Sequence, residues 1–180
     1  AITSGDDNIV IGKSVATNLT TGTNNIAIGE DALDLENTGT YQIAIGYRAG
    51  YKNRISDTSY NTFIGNNAGR ENASGNDNTY VGNSAGYVVD AGHGDNNTAV
   101  GKYAIYQILG NNTTAIGNEA GYYATGSYNT FVGSEAGKGG TTSAPFSSGE
   151  GNVAVGYAAL DAFTTGDNNI AIGKNAFGVL

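Results

Sequence analysis

The sequence contains no cysteine, no methionine and no tryptophan, and it has one proline and one histidine. Without cysteine there is neither a disulfide framework nor a thiolate-ligated metal, and His93 alone excludes a histidine-cluster zinc site. Charged residues make up 13% of the chain, against about 25% in average proteins. The net charge of −8 opposes binding to nucleic acid or to an anionic membrane surface. No apolar run approaches the roughly 20 residues of a membrane-spanning helix.

Glycine is abundant, with 29 of the 180 residues, and ten glycines close copies of one short motif. Each copy has a polar residue, usually Asn, then Ile, Val or Thr, then Ala, Val, Phe or Tyr, then Ile or Val, then Gly, with Ala three residues later (Val15 in the first copy). The repeat glycines follow one another at steps of 16 to 23 residues. They are Gly12, Gly29, Gly46, Gly65, Gly82, Gly101, Gly117, Gly133, Gly156 and Gly173. Such periodicity is the signature of a repeat architecture.

The motif predicts a short strand that is apolar on both faces and therefore buried on both. Stacked copies form an all-β parallel β-roll or β-solenoid of about ten coils, a single domain over residues 1–180, with a ladder of hydrogen-bonded Asn side chains. One face carries the Ile or Val that precedes each glycine, and we expect full burial of these side chains. They are Ile28, Ile45, Ile64, Val81, Val100, Ile116, Val132, Val155 and Ile172. The other face, with Ala, Phe or Tyr, would stay uncovered in one thin chain, which predicts association around an axis.

The motif resembles the head repeats of trimeric autotransporter adhesins, the YadA-like left-handed parallel β-roll. The resemblance is carried by residues 25–29 with Ala32 and by residues 152–156 with Ala159. The form at residues 61–69 is similar to repeats in the shafts of bacteriophage tail fibres. The resemblance covers residues 8–177 and implies a homotrimer, with two chains as the alternative. It also implies an extracellular location, on a virion fibre or a bacterial cell surface, and a role in cell adhesion or host attachment.

Three variable segments interrupt the regular repeat and are candidates for receptor contact. They are residues 47–60, 83–96 and 134–151, in which Arg54, His93 and Phe146 stand out as ligand-binding candidates. A solenoid tolerates insertions at one edge, and these often map to a binding face. The alternative is that the segment around Phe146 is a surface insertion without a partner.

Two further sets of side chains recur at fixed places in the repeat. Tyr51, Tyr87 and Tyr122 follow the Ala-Gly pair and predict either a sugar-binding aromatic platform or a structural ladder at a subunit boundary. Acidic residues in the turns offer oxygen ligands for Ca²⁺, although Asp favours turns in any case. These weak metal candidates are Asp7, Asp77, Asp95 and Asp167, and no other cofactor is expected.

A threonine column and three carboxylates complete the candidates. Thr62, Thr79, Thr98, Thr114 and Thr130 recur at one motif position, as an ice-binding surface requires, but we expect this column to face inward. Asp31, Glu119 and Glu135 follow repeat glycines and are candidates for a paired-carboxylate depolymerase, or simply for solubilising the surface.

No nucleophile elbow or phosphate loop is present, so we expect no enzyme. The sequence predicts a structural or adhesive fibre segment that presents loops for attachment to a surface glycan or protein receptor. A carbohydrate-binding or ice-binding β-solenoid is the alternative, and a depolymerase is a distant one.

Overall fold

The computed structural model describes residues 4–36, 38–53, 59–87, 94–107, 109–140, 147–162 and 165–177. Within these ranges the chain is all-β, with ten strands of three residues each and no helix. The strands are β1 (Ile9–Ile11), β2 (Ile26–Ile28), β3 (Ile43–Ile45), β4 (Thr62–Ile64), β5 (Thr79–Val81), β6 (Thr98–Val100), β7 (Thr114–Ile116), β8 (Thr130–Val132), β9 (Val153–Val155) and β10 (Ile170–Ile172). We call the coil that contains strand βn rung n.

The ten strands form one parallel sheet in which each strand pairs with the next in chain order. The register places equivalent motif positions opposite each other, as in Ile26 against Ile43 and Ile28 against Ile45. The same register holds across the irregular step from β8 to β9, where Val132 pairs with Val155. The predicted parallel β-solenoid with stacked, in-register repeats is therefore confirmed.

Inside the solenoid, two columns of side chains complement each other in size. One column is the middle residue of each strand, and the other lies four residues after each repeat glycine. A large residue in one column accompanies a small residue in the other. The pairs are Phe63 with Gly69, Tyr80 with Gly86, Phe131 with Gly137, Ala27 with Leu33, Ala99 with Ile105 and Ala154 with Leu160, and all twelve residues are buried.

Two rungs carry a small residue in both columns, and a phenylalanine of the next rung fills the space. Rung 3 has Ala44 and Gly50, and a Cβ added to Gly50 would lie 2.7 Å from Cδ2 of Phe63. Rung 7 repeats this arrangement, since a Cβ on Gly121 would lie 2.9 Å from Cδ2 of Phe131. Each phenylalanine thus packs across two rungs, which keeps the narrow interior closely filled.

The repeat glycine is required by the close approach of successive rungs. A Cβ on Gly29 would lie 2.6 Å from the carbonyl oxygen of Gly46, and one on Gly65 would lie 2.5 Å from that of Gly82. These glycines also have φ between +118° and +140°, a region that side chains with Cβ rarely adopt. No other residue type fits this position in a stack of this spacing.

The predicted ladder of polar side chains is present and runs through the motif position before each strand. The Nδ2 of Asn25 donates to Gly39 O at 2.8 Å, and its Oδ1 accepts from the backbone N–H of Gln42 at 2.9 Å. Asn78 makes the same two bonds to Gly94 O and to Asn97 N–H. Each amide therefore bonds the backbone of the next rung, which satisfies buried groups that strands of three residues leave unpaired.

The predicted orientation of the strand faces is wrong for the single chain. Ala27, Phe63 and Tyr80 are fully buried, whereas the Ile and Val before the repeat glycines point outward. Ile64 is 37% exposed and Ile116 is 42% exposed. The Ala/Phe/Tyr face is thus the interior, because the second inward column covers it, and the Ile/Val face is the uncovered one. An aspartate at Ile64 would consequently disturb this outer face and not the core of the chain.

The complementary columns predict that a size exchange within one rung is tolerated. Tyr80→Ala alone should cost about 3–5 kcal/mol through the cavity it leaves, and Gly86→Leu alone should destabilise because its side chain would overlap the Tyr80 ring. The double variant recreates the pairing of Ala27 with Leu33. Leu33 also has a positive φ of 48°, so the backbone accepts leucine there.

Urea unfolding of both single variants and the double variant measures this coupling. The double variant should be more stable than either single variant. A double variant that loses the sum of the two single effects would show that the columns are not complementary.

Candidate binding surfaces

The first surface is the outer face of the sheet, formed by the first and third residues of β1 to β10, which we call the sheet face. Its residues are Ile, Val or Thr at every position, with no charge and no strongly polar group. Exposure is largest at the ends, with Ile11 57% and Ile172 70% exposed, and remains 36% at Val100 in the middle. An uncharged face of this regularity, roughly 45 Å long at the usual strand spacing, is typical of an interaction site.

Threonine occupies the first position of five successive strands on this face. Thr62 pairs with Thr79, and the register continues to Thr98, Thr114 and Thr130. Thr79 is exposed and the other four are half-buried. The expectation that this column faces inward is therefore wrong, for the same reason as for the Ile and Val column, since first and third strand residues share one face.

The second surface is a stack of side chains five residues after the repeat glycine, which we call the Tyr–Arg column. It contains Tyr51, Arg70, Tyr87, Tyr106 and Tyr122, on rungs 3 to 7. The Tyr87 and Tyr106 rings have centroids 5.0 Å apart and planes 3° apart. Tyr106 and Tyr122 follow at 4.8 Å and 17°. The guanidinium carbon of Arg70 lies 5.9 Å from the Tyr51 ring centroid and 5.4 Å from that of Tyr87.

The Tyr–Arg column brings together Tyr51, Tyr87 and Tyr122, which the sequence identified, and adds Tyr106. Tyr106 was missed because Ile105 replaces the glycine of the Ala-Gly pair, although its offset from the repeat glycine is the same. The ring faces of Tyr87 and Tyr106 contact each other, so the outer surface of the column consists of ring edges and hydroxyl groups. The rings form a stack within one chain, and both the sugar platform and the ladder at a subunit boundary remain predictions.

The candidate carboxylates form ion pairs with cations, which for Asp31 and Glu119 come from the next rung and for Glu135 from the same rung. Asp31 Oδ2 lies 3.0 Å from Arg48 Nε. Lys138 Nζ lies 2.6 Å from Glu119 Oε2 and 3.4 Å from Glu135 Oε2, and its hydrogen bond to Glu119 raises the pKa of the ammonium group. The carboxylates of Glu119 and Glu135, on adjacent rungs, therefore do converge, but on one lysine that forms an ion pair with both. This geometry stabilises the stack and does not separate an acid from a base.

The four Asp residues proposed as weak calcium ligands lie in turns on separate rungs. The Oδ1 of Asp95 accepts from Asn76 N–H at 2.8 Å, and the Oδ1 of Asp167 accepts from Glu150 N–H at 2.8 Å. Asp7 and Asp77 have positive φ, at 56° and 57°. Within the described ranges, no three His, Cys, Asp or Glu side chains form a group that could hold a metal ion.

The three loop candidates, Arg54, His93 and Phe146, lie outside the described residues. In the part of the chain that is described, no helix has the length and apolar character needed to cross a membrane.

Comparison of the chain with protein families, with curated proteins and with solved structures found no match. The resemblance to adhesin and tail-fibre repeats therefore depends on the motif residues alone.

Buried tyrosines predict a loss of stability in alkali. Burial raises the pKa of Tyr80 strongly and that of Tyr122 to about 12, from the ordinary value of 10.0. Above pH 10 the unfolded chain therefore loses these protons before the folded chain does, so the unfolded state binds fewer protons and the free energy of unfolding falls. Below pH 10 this contribution to stability is fully present.

Urea unfolding between pH 8 and pH 12 measures this effect. Tyr80→Phe should reduce the decline, since it removes the most strongly shifted phenol, and Tyr128→Phe should not, because Tyr128 is 63% exposed. An unchanged decline in Tyr80→Phe would show that Tyr80 does not contribute to it.

Proposed function

We propose that the chain is a structural and adhesive fibre segment, assembled as a homotrimer through its sheet face, at a virion or bacterial cell surface. The observation that carries the proposal is the sheet face, which is uncharged over all ten strands in a chain with a net charge of −8. A surface free of like charges is where identical acidic chains can approach. The number of three chains, and the extracellular setting, come from the resemblance to adhesin heads and tail-fibre shafts.

The energetics of the sheet face favour self-association. Burying the exposed part of an Ile or Val side chain on this face is worth roughly 0.5–1 kcal/mol, and the third strand position supplies one such residue per rung on every chain. The sum is of the order of the 4–15 kcal/mol that association costs. Because the columns repeat, a rotation about an axis parallel to the stack brings identical rungs together at the same height, which gives a closed symmetric assembly.

In the proposed rod, the regular columns form the stack and the variable segments contact the receptor. Residues of the regular columns must repeat in order to stack, so they carry little information for recognising a receptor. The variable segments, residues 47–60, 83–96 and 134–151, differ between rungs and are the proposed contacts with a glycan or protein receptor. Many copies on one surface compensate for weak single contacts, and no hydrolytic activity is needed for this role.

The oligomeric state tests the proposal directly. Light scattering after gel filtration should give about 54.9 kDa, three times the chain mass of 18.3 kDa. The double variant Val100→Lys/Ile116→Lys adds charges to two half-exposed positions of the sheet face and should give the mass of one chain with an unchanged far-UV spectrum. Asn118→Lys, two residues after Ile116 at an exposed position, is the matched control and should remain trimeric.

Two outcomes would overturn the assembly. A wild-type mass of 18.3 kDa at micromolar concentration would reject self-association. A trimer that persists in Val100→Lys/Ile116→Lys would move the interface away from the sheet face.

The outward threonine column favours one second candidate, an ice-binding surface on a monomeric solenoid. Its hydroxyl and methyl groups repeat at the strand spacing of about 4.8 Å on five successive rungs. This candidate requires the sheet face to be free, so it competes with the trimer.

Ice recrystallisation assays separate the two candidates. An ice-binding chain should inhibit crystal growth as a monomer, and Thr98→Lys should abolish the inhibition while Asn118→Lys retains it. Absence of inhibition by the wild type would exclude this second candidate.

A further inference from the structure

We propose that Tyr87 and Tyr106, in the Tyr–Arg column, form a site for oxidative cross-linking that joins rungs 5 and 6 by a covalent bond between their rings. The site involves none of the sheet-face residues, so it is independent of the proposed assembly. The co-reactant is a one-electron oxidant of the peroxidase class acting with hydrogen peroxide. The argument depends on ring geometry, on access and on the way the two side chains are held.

The ring geometry is suited to carbon–carbon bond formation. The Tyr87 and Tyr106 planes are 3° apart with centroids separated by 5.0 Å. The unpaired electron of a phenoxyl radical occupies π orbitals perpendicular to the ring, with density on the ortho carbons. Two radicals that meet face to face therefore present to each other the orbitals that form the new bond, and the rings reorient as the two carbons join.

The two side chains are held on the surface by different neighbours. Arg70 Nη1 donates to the hydroxyl oxygen of Tyr87, and its guanidinium lies over the other face of that ring. Tyr106 stacks on Tyr122 with its second face and lies beside Tyr103, whose ring is perpendicular to it, with the centroids 5.4 Å apart and the planes 87° apart. Both side chains are half-buried, so their edges are accessible to a diffusible oxidant while their positions are restricted.

The reaction balances without any group from the protein other than the two phenols. Each phenol loses one electron and its hydroxyl proton and becomes a phenoxyl radical. The radicals join through one ortho carbon of each ring, the two ortho protons pass to solvent, and the two oxygens are reprotonated. The chain thereby loses two hydrogen atoms in total, and one molecule of hydrogen peroxide takes up the two electrons and two protons and becomes two molecules of water.

Competing pairs exist, and the geometry orders them. Tyr106 and Tyr122 are also stacked, at 4.8 Å, with planes 17° apart, so the column contains two neighbouring positions for the same reaction. Tyr122 and Tyr123 approach to 4.4 Å, but their planes are inclined by 61°, which turns the ring orbitals away from each other. Tyr128 is 63% exposed. The amount of cross-linking at Tyr128 therefore serves as the reference for coupling that results from solvent exposure alone.

Peptide mapping tests the proposal on the folded full-length chain. The protein is oxidised with hydrogen peroxide and a haem peroxidase at low concentration, and the single-chain band is then denatured and digested with trypsin. Cleavage after Arg70, Lys102 and Lys138 separates Tyr87 from Tyr106, on peptides 71–102 and 103–138. The expected product is a joined pair of these peptides, lighter than their sum by two hydrogen atoms, with the link assigned to Tyr87 and Tyr106 by fragmentation.

Matched variants separate the stacked site from general oxidation. Tyr106→Phe keeps a stacked ring but removes the phenol, and it should reduce the joined pair at least tenfold. Tyr128→Phe, which removes a 63% exposed phenol from the same peptide, should leave the yield within twofold of the wild type. Far-UV spectra identify any variant that fails to fold, and wild-type chain oxidised in urea gives the yield that proximity in sequence alone produces.

Three outcomes would overturn the proposal. Equal yields of the joined pair from folded and urea-unfolded chain would show that stacking makes no contribution. Undiminished yield in Tyr106→Phe would assign the link to another tyrosine of peptide 103–138. Folded protein in which Tyr128 accounts for most of the coupling would show that exposure, and not the Tyr–Arg column, directs the reaction.

Discussion

The close approach of successive rungs is the constraint on which the whole structure depends. Parallel pairing of three-residue strands holds neighbouring coils about 4.8 Å apart, and this spacing leaves no room for a Cβ that points along the axis. Gly29, Gly65 and the other repeat glycines occupy these positions, against a carbonyl of the next rung. The buried amides of Asn25 and Asn78 bond the backbone just before the strands begin. Glycine and asparagine are therefore abundant for reasons of spacing, and not because the chain is disordered.

The same spacing makes the interior narrow. The middle strand residue and the residue four positions after the repeat glycine share the space next to the strand, so a large side chain in one column leaves room for a small one in the other, and Tyr80 and Ile105 on successive rungs take opposite columns. With the interior filled in this way, the β-branched residues of the strands cannot also be inside. They form the sheet face, and a chain that stacks well is thereby left with an uncovered apolar surface along its length.

The fold follows from the sequence, whereas the direction of the strand faces does not. Ten copies of one motif define the rungs, the register and the buried amide column, because the spacing of the repeats can be read directly from the sequence. Alternation gives the direction of a strand only when one face is polar, and Ile28, Ala27 and Ile26 are all apolar. Volume is the signal that decides. Phe63 opposes Gly69 while Ala99 opposes Ile105, and this compensation is visible in the sequence once the two columns are compared.

The candidate surfaces divide in the same way. The recurrence of Tyr51, Tyr87 and Tyr122 at one offset was sufficient to predict a column, but the part played by Arg70 was not, since arginine and tyrosine share no pattern. Arg70 fits between two rings because a planar guanidinium stacks as a ring does. Tyr106 was detectable only by counting from the repeat glycine, which the spacing of the rungs preserves even where the Ala-Gly pair is lost.

Charged residues stack differently from uncharged ones along the columns. Threonine stacks on threonine and tyrosine on tyrosine, because every added rung repeats a favourable contact. Like charges at this spacing repel, so charged columns change sign from one rung to the next, as Lys13 does with Glu30 and Asp31 with Arg48. Glu119 and Glu135 are adjacent carboxylates in one column, and there Lys138 binds both. A low content of charged residues is thus a consequence of stacking: a charge is accommodated where a neighbouring rung supplies its opposite, and most positions of a regular column are more stable without one.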